Sequence, residues 1–161
     1  MADIEITVNV DAGDIEKTAR KMDVLPAFKD GVFSAATWVK GEISEYPPAS
    51  EANMPGPYPK RWYVRGKGPH WARKGGGVGS RSTSKTLGKM WTAERKNGGL
   101  SALVGNNTSY GPYVQSKEHQ AAFHGRRGWQ TVEDFVIRRS DEVLKRIEDF
   151  VQAAIKGVKK Q

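Results

Sequence analysis

The stretch VGNNTSYGPYVQ, Val104–Gln115, is the most restrictive part of the sequence, because almost every position in it limits the backbone. Gly105 and Asn106 follow an apolar run and tolerate the backbone angles at which a strand can leave its sheet. Thr108 or Ser109 can cap a helix, and Pro112 fits only the first turn of the helix that follows. The stretch therefore predicts a strand that ends near Gly105 and a short helix that starts near Ser109.

The tyrosines of this stretch are predicted to be packing residues. Residues three and four apart share one face of a helix, so Tyr110, Tyr113 and Val114 would stand together. We expect this face to pack on the sheet. The stretch is then a scaffold whose key residues are Gly105, Asn106, Tyr110, Pro112 and Tyr113.

Strand patterns lie on both sides of the chain's centre. Apolar and polar residues alternate from Ile4 to Val10, which is the period of a strand with one buried face. A second alternation begins at Leu87, and Asn97-Gly98-Gly99 separates it from the run that ends at Gly105. Glycine and asparagine favour hairpin turns, so these two runs predict a β-hairpin.

Two long amphipathic helices are predicted by apolar residues at spacings of three and four. The first runs from about Leu25 to Tyr46, follows a short helix over residues 11–21, and has Asp23 as its expected N-cap. The second is the last helix, with Thr131 as its N-cap. The fold class predicted is α+β, a small antiparallel sheet packed against two long helices.

Length and composition favour one domain over residues 1–161. The chain has no cysteine, no basic and apolar leader, and no apolar run near the ~18 residues of a membrane span. We therefore expect folding in a reducing cytosol and no membrane partner.

Charge is distributed unevenly along the chain. Residues 1–54 carry ten acidic and five basic side chains, whereas residues 55–96 carry eleven basic side chains against Glu94 alone. From about 47 to 86 the sequence is rich in proline, glycine and cations without apolar periodicity. This segment predicts a long, exposed and mobile basic loop, because little in it can be buried.

The loop contains the clearest ligand-binding signal. In KRWYVRGKGPHWARKGGG, residues 60–77, cations alternate with Trp62, Tyr63 and Trp71. Such alternation is typical of nucleic-acid binders, where cations meet phosphates and aromatic rings stack on bases. The alternative is that the cations stay solvated and the aromatic residues anchor the loop to its own domain or to a neighbouring subunit.

No pattern for catalysis, a metal or a cofactor is present. The glycine run after Lys74 lacks the Lys-Ser/Thr pair of a phosphate-binding loop. His70, His119 and His124 fall in predicted loops without cysteine ligands, which argues against a metal site. The pair Arg126-Arg127 is interpreted as a charged turn before the last helix.

Three stretches together resemble the tail-component, or tail-completion, family of long-tailed phages and prophages. They are TLGKMW (Thr86–Trp91), VGNNTSYGPYVQ, and EHQAAFHGRRGWQT (Glu118–Thr131), followed by the long closing helix. The resemblance runs from about Val24 to the C-terminus and is specific over about Leu87 to Thr131. The chain departs from the family pattern after Gln115, and its basic loop is longer than in most members.

The resemblance implies a structural virion protein rather than an enzyme. Such a protein forms a homo-oligomeric ring, such as a hexamer, that completes the tail or joins it to the head around the DNA path. Its partners would be copies of itself, tail-tube or connector proteins, and genome DNA in the lumen. Its location would be the virion tail or neck, with assembly in the host cytoplasm.

Within this interpretation the basic loop would meet partners. We expect Trp62, Tyr63 and Trp71 to contact an adjacent subunit or a neck protein, because aromatic side chains dominate interface energetics. The basic side chains would face the lumen or acidic neighbours: Arg65, Lys67, Arg73, Lys74, Arg81 and Lys85. The alternative function is a nucleic-acid-binding module that uses the same segment.

Overall fold

The structure is a computed structural model that describes residues 4–7, 12–64, 67–81 and 84–158. Within these ranges the chain forms strands and helices in the order β1 (Ile4–Thr7), α1 (Gly13–Lys21), α2 (Leu25–Ile43), β2 (Arg61–Val64), β3 (Gly68–Ala72), β4 (Val78–Ser80), α3 (Ser84–Lys89), β5 (Trp91–Lys96), β6 (Ser101–Asn106), α4 (Gly111–Gln115), α5 (Ala122–Arg126) and α6 (Val132–Val158). The α+β class is confirmed.

The chain divides into two compact units. The meander unit is built mainly from Glu42–Trp91 and Asn106–Phe135. The hairpin unit comprises Glu5–Gly41, Thr92–Gly105 and Val136–Gln161. The expectation of a single domain over the whole chain stays a prediction.

The hairpin unit contains the predicted sheet and most of both long helices. Its strands are ordered β1-β6-β5, and β5 and β6 are antiparallel because only a short turn at Asn97–Gly99 joins them. Phe28 and Val39 of α2 and Val151 of α6 are fully buried. Of the predicted first strand, Val8 and Val10 lie outside the described residues.

The helix ends show one correction and one confirmation. Asp23 is not the N-cap of α2, because its backbone is left-handed (φ 56°) and it closes α1 instead. The amide of Val24 donates to the carbonyl of Ala19 at 2.8 Å, the bond typical of a helix C-terminus that ends in this conformation. Thr131 caps α6 as predicted, since its hydroxyl accepts from the amide of Asp134 at 3.2 Å.

The meander unit contains a second sheet within the segment that we expected to be one long loop. The strands β2, β3 and β4 form an antiparallel meander. They have only three to five residues each, too few for apolar periodicity to mark them. The glycine run makes the β3–β4 turn, where Gly76 and Gly77 adopt positive φ and the amide of Arg73 donates to the carbonyl of Gly77.

The motif Val104–Gln115 forms the strand end and short helix that its sequence predicts. The residue that holds the turn and the environment of the two tyrosines differ from the prediction. The side chain of Asn106 holds the turn, since its Oδ1 accepts from the amide and the hydroxyl of Thr108. Its Nδ2 donates to the carbonyl of Leu87 at 2.8 Å. Tyr110 and Tyr113 are 39% and 60% exposed, so they are not the buried packing residues that their spacing predicts.

The first strand of the hairpin begins later than the sequence predicts. Leu87 lies in α3 and is buried, and the strand β5 begins only at Trp91. The alternation that suggested a strand from Leu87 therefore applies to only its second part.

Candidate arginine-aromatic cleft

One face of the β2–β3–β4 sheet collects arginine and aromatic side chains. Arg61 is paired with Trp71, and Tyr63 with Pro69, across the β2–β3 ladder. Trp71 is in turn paired with Gly79 on β4. Side chains of directly paired residues project to the same side of a sheet, and residues two apart on a strand share that side. Arg61, Tyr63 and Trp71 therefore stand on one face.

This face forms one wall of a cleft of about 500 Å³. Phe123 of α5 and Arg127, directly after α5, also line it, as does Arg81 just after β4. We call this site the arginine-aromatic cleft; its lining residues are Arg61, Trp62, Tyr63, Pro69, His70, Trp71, Arg81, Phe123 and Arg127.

Arg127 is held in place within the cleft. Its Nε donates to the carbonyl of Arg61 at 3.2 Å, and its Nη1 donates to the carbonyl of Phe123 at 3.2 Å. The guanidinium carbon lies 5.6 Å from the centre of the Phe123 ring, within the range of a cation–π contact. These contacts join α5 to β2 and fix a positive charge beside an aromatic ring.

The cleft is positively charged. In the part of the chain that the structure describes, no carboxylate forms an ion pair with Arg61, Arg81 or Arg127. By contrast, Arg95 and Lys96 of the hairpin unit pair with Asp30 and Glu94 at 2.9 Å. The cleft arginines are therefore suited to an external anion.

Tyr63 of the cleft and His124 next to it are both neutral near pH 7. Burial, with a further effect from Arg127, lowers the pKa of His124 from 6.5 to about 4. Burial also raises the pKa of Tyr63, although Arg127 and Arg61 oppose that change. The Tyr63 hydroxyl lies 3.4 Å from Nδ1 of His124. Because His124 and Tyr63 are neutral, the positive charge of the site comes from its arginines.

An apolar groove of about 330 Å³ adjoins the cleft and shares Tyr63, Pro69 and Arg81 with it. Buried Trp129 packs edge-on against Tyr63, with ring centres 5.7 Å apart. The exposed motif tyrosines also line this groove. We call it the tyrosine groove; its other lining residues are Tyr46, Leu87, Tyr110, Tyr113, Val114, His124 and Trp129.

The predicted interface aromatics have different environments. Trp62 is only 4% exposed, and its ring stacks on that of His70 with the ring centres 6.1 Å apart. Its contact with a neighbouring subunit stays a prediction. Tyr63 and Trp71 are half-buried and line the cleft. Their role at an interface stays a prediction.

The predicted basic residues do not form one patch. Arg81 joins the cleft, whereas Lys67 lies at the β2–β3 turn, and Arg73 and Lys74 lie at the β3–β4 turn at the other end of the meander. All four are exposed. Arg65 lies outside the described residues, and only the backbone of Lys85 is described. Whether these cations face a lumen or a partner stays a prediction.

Five residues of the cleft were not predicted as site residues: Arg61, Pro69, His70, Phe123 and Arg127. Arg127 was interpreted as part of a charged turn, yet its side chain reaches a carbonyl 66 residues earlier in the chain. Only the strand register and the placement of α5 bring these residues together. The interleaving of cations and aromatics in residues 60–77 was the one signal that pointed to this region.

The described residues contain no group of three or more His, Cys, Asp or Glu side chains placed to hold a metal ion. They also include no helix that meets the length and apolarity needed to cross a bilayer. Comparison of the chain with protein-family models, curated proteins and solved structures finds no match. The cleft and the groove are therefore interpreted from their own residues.

Proposed function

We propose that the protein is a structural component of a phage tail or neck, assembled as a homo-oligomeric ring that completes the tail or joins it to the head around the DNA path. The observation that carries the proposal is the exposure of Tyr110 and Tyr113 at the rim of an apolar groove. Both tyrosines belong to the stretch that resembles tail-completion proteins.

Exposed tyrosines at an apolar groove suit a contact between protein subunits. Tyrosine provides a large apolar area with a polar end, and it is enriched among the residues that dominate interface energetics. A ring needs two different complementary surfaces on each subunit, because its contacts are head-to-tail. The tyrosine groove is our candidate for one of these surfaces.

The charge distribution supports the same arrangement. The acidic residues of the first 54 positions and the basic residues of positions 55–96 would attract each other between copies. A basic lumen would also be compatible with passing DNA. On this proposal the protein carries out no reaction and acts in the virion after assembly in the host cytoplasm.

Mass measurement in solution, combined with negative-stain imaging, tests the proposal. We expect rings at high protein concentration, or rings on the ends of purified tail tubes when the free protein is monomeric. The proposal would be contradicted by a protein that never joins tail tubes and instead binds duplex DNA tightly as a monomer with a steep salt dependence.

A further inference from the structure

We propose that the arginine-aromatic cleft binds one or two nucleotides of a single-stranded nucleic acid. A base would stack against the ring of Trp71 or of Phe123, and the adjoining phosphate would be held by Arg61, Arg81 and Arg127. This inference does not depend on ring assembly, because every residue in it belongs to the meander unit of one chain.

The arginine-aromatic cleft has uncompensated positive charge. Three guanidinium groups line one cleft, and none of them has a carboxylate partner among the described residues. Arg127 is already oriented by two backbone carbonyls, so little side-chain entropy is lost when it binds an anion. Guanidinium groups match the geometry of phosphate oxygens.

The aromatic rings of the cleft favour an anion that carries a base. A Cβ atom on Gly79 would lie 2.5 Å from the indole of Trp71, so the indole lies directly against the β4 backbone. Phe123 is 44% exposed and stands beside Arg127. Aromatic faces next to guanidinium groups bind bases and phosphates together. An acidic peptide would engage the arginines but would not need these faces.

The size of the cleft limits the ligand that it can enclose. A cleft of about 500 Å³ is in the range of sites that enclose a small ligand. One unstacked nucleotide fits that range. In a duplex the bases are stacked on each other, so they cannot reach an aromatic wall inside such a cleft. The cleft therefore favours a single strand over a duplex.

Fluorescence anisotropy of the full-length protein with a labelled oligothymidylate tests this site. We expect the wild type to bind the single strand more tightly than the matching duplex. Trp71→Ala should weaken binding about tenfold through loss of stacking. Arg81→Gln should weaken it and lower the slope of log K against log salt by about one.

The matched control is Arg73→Gln, which removes the same charge from the exposed β3–β4 turn of the same sheet. We expect it to change the affinity by less than about twofold, since it does not line the cleft. Near-ultraviolet circular dichroism checks that each variant is folded. If Trp71→Ala does not fold, the double variant Arg61→Gln with Arg81→Gln tests binding instead. Both of these side chains are exposed, so their replacement should not prevent folding.

Three results would each overturn the proposal. The first is equal affinity for duplex and single strand. The second is an affinity that falls as much in Arg73→Gln as in Arg81→Gln, which would indicate nonspecific attraction. The third is displacement of the oligonucleotide by polyglutamate of equal charge at the same concentration, which would assign the arginines to an acidic protein surface.

Discussion

The position of the Trp71 indole in the cleft depends on the missing side chain of Gly79. Its φ is not in the left-handed region, so its importance comes from space alone: an added Cβ would lie 2.5 Å from Cε2 and Nε1 of Trp71. We predict that Gly79→Ala displaces the indole and destabilises the protein by about 1–3 kcal/mol, as overpacking does. Tryptophan fluorescence and urea unfolding measure the two effects.

Gly75→Ala is the control for that substitution. Gly75 lies in the adjoining β3–β4 turn, where an added Cβ has no atom within 4 Å and the backbone has no positive φ. Its stability and fluorescence should match those of the wild type. An unaltered Trp71 environment in Gly79→Ala would show that the indole does not lie on β4.

His124 should make stability depend on pH. Its pKa is about 4 in the folded protein and 6.5 as the ordinary value, so below pH 6.5 the unfolded chain takes up a proton that the folded chain refuses. The stability is therefore highest above pH 6.5 and falls as the pH decreases toward 4. We predict that His124→Gln reduces this fall, measured as the melting temperature across that range.

The control for His124 is His119→Gln. His119 is exposed, and its ring lies 3.8 Å from the carboxylate of Glu118. We expect its variant to keep the pH dependence of the wild type. If His124→Gln retained the full loss between pH 6.5 and 4, the loss would belong to other groups and the burial of His124 would not be its cause.

At the scale of elements, α2 and α6 approach closely within the hairpin unit. A Cβ on Gly31 would lie 3.0 Å from Cα and 3.1 Å from the carbonyl oxygen of Ile147. Both atoms belong to the backbone of α6 and cannot rotate away. We predict that Gly31→Ala destabilises the protein by about 1–3 kcal/mol because the helices must move apart, as measured by urea unfolding.

Gly41, also in α2, should respond to substitution in the opposite direction from Gly31. A Cβ added to Gly41 of α2 would meet no atom within 4 Å. Gly41→Ala should stabilise the protein by about 0.5–1 kcal/mol, because alanine favours a helix more than glycine does. Equal effects of the two substitutions would show that helix propensity, rather than the helix contact, determines the result.

At the scale of the whole molecule, the proposed ring depends on an exposed residue that contributes little to folding. Tyr113 is 60% exposed, so Tyr113→Ser should leave the melting temperature nearly unchanged. If its ring is an interface anchor, association should weaken by about 2 kcal/mol, roughly thirtyfold in Kd. Sedimentation equilibrium measures this change.

Ile137→Ser is the matched control for association. Ile137 is 68% exposed on α6 and lies outside the tyrosine groove. We expect its variant to associate as the wild type does. Loss of association in Ile137→Ser with none in Tyr113→Ser would move the subunit contact away from the tyrosine groove.

Elements with strong local signals could be predicted from the sequence alone. The hairpin of β5 and β6, the two long helices and the Thr131 cap follow from apolar spacing, glycine turns and side-chain capping, all of which act between neighbours in the chain. The turn after β6 was also predicted, although the side chain that accepts its hydrogen bonds belongs to Asn106, and the amide and hydroxyl of Thr108 are the donors.

Which side chains meet across the molecule could be read only from the folded chain. Short strands leave no periodicity, so the meander of residues 61–80 was predicted as a loop, and Arg127 could not be placed beside Arg61. Burial of Trp62 and exposure of Tyr110 and Tyr113 also depend on packing between distant segments. Composition along the chain records which residues a segment contains, but strand register and packing determine which of them face one another.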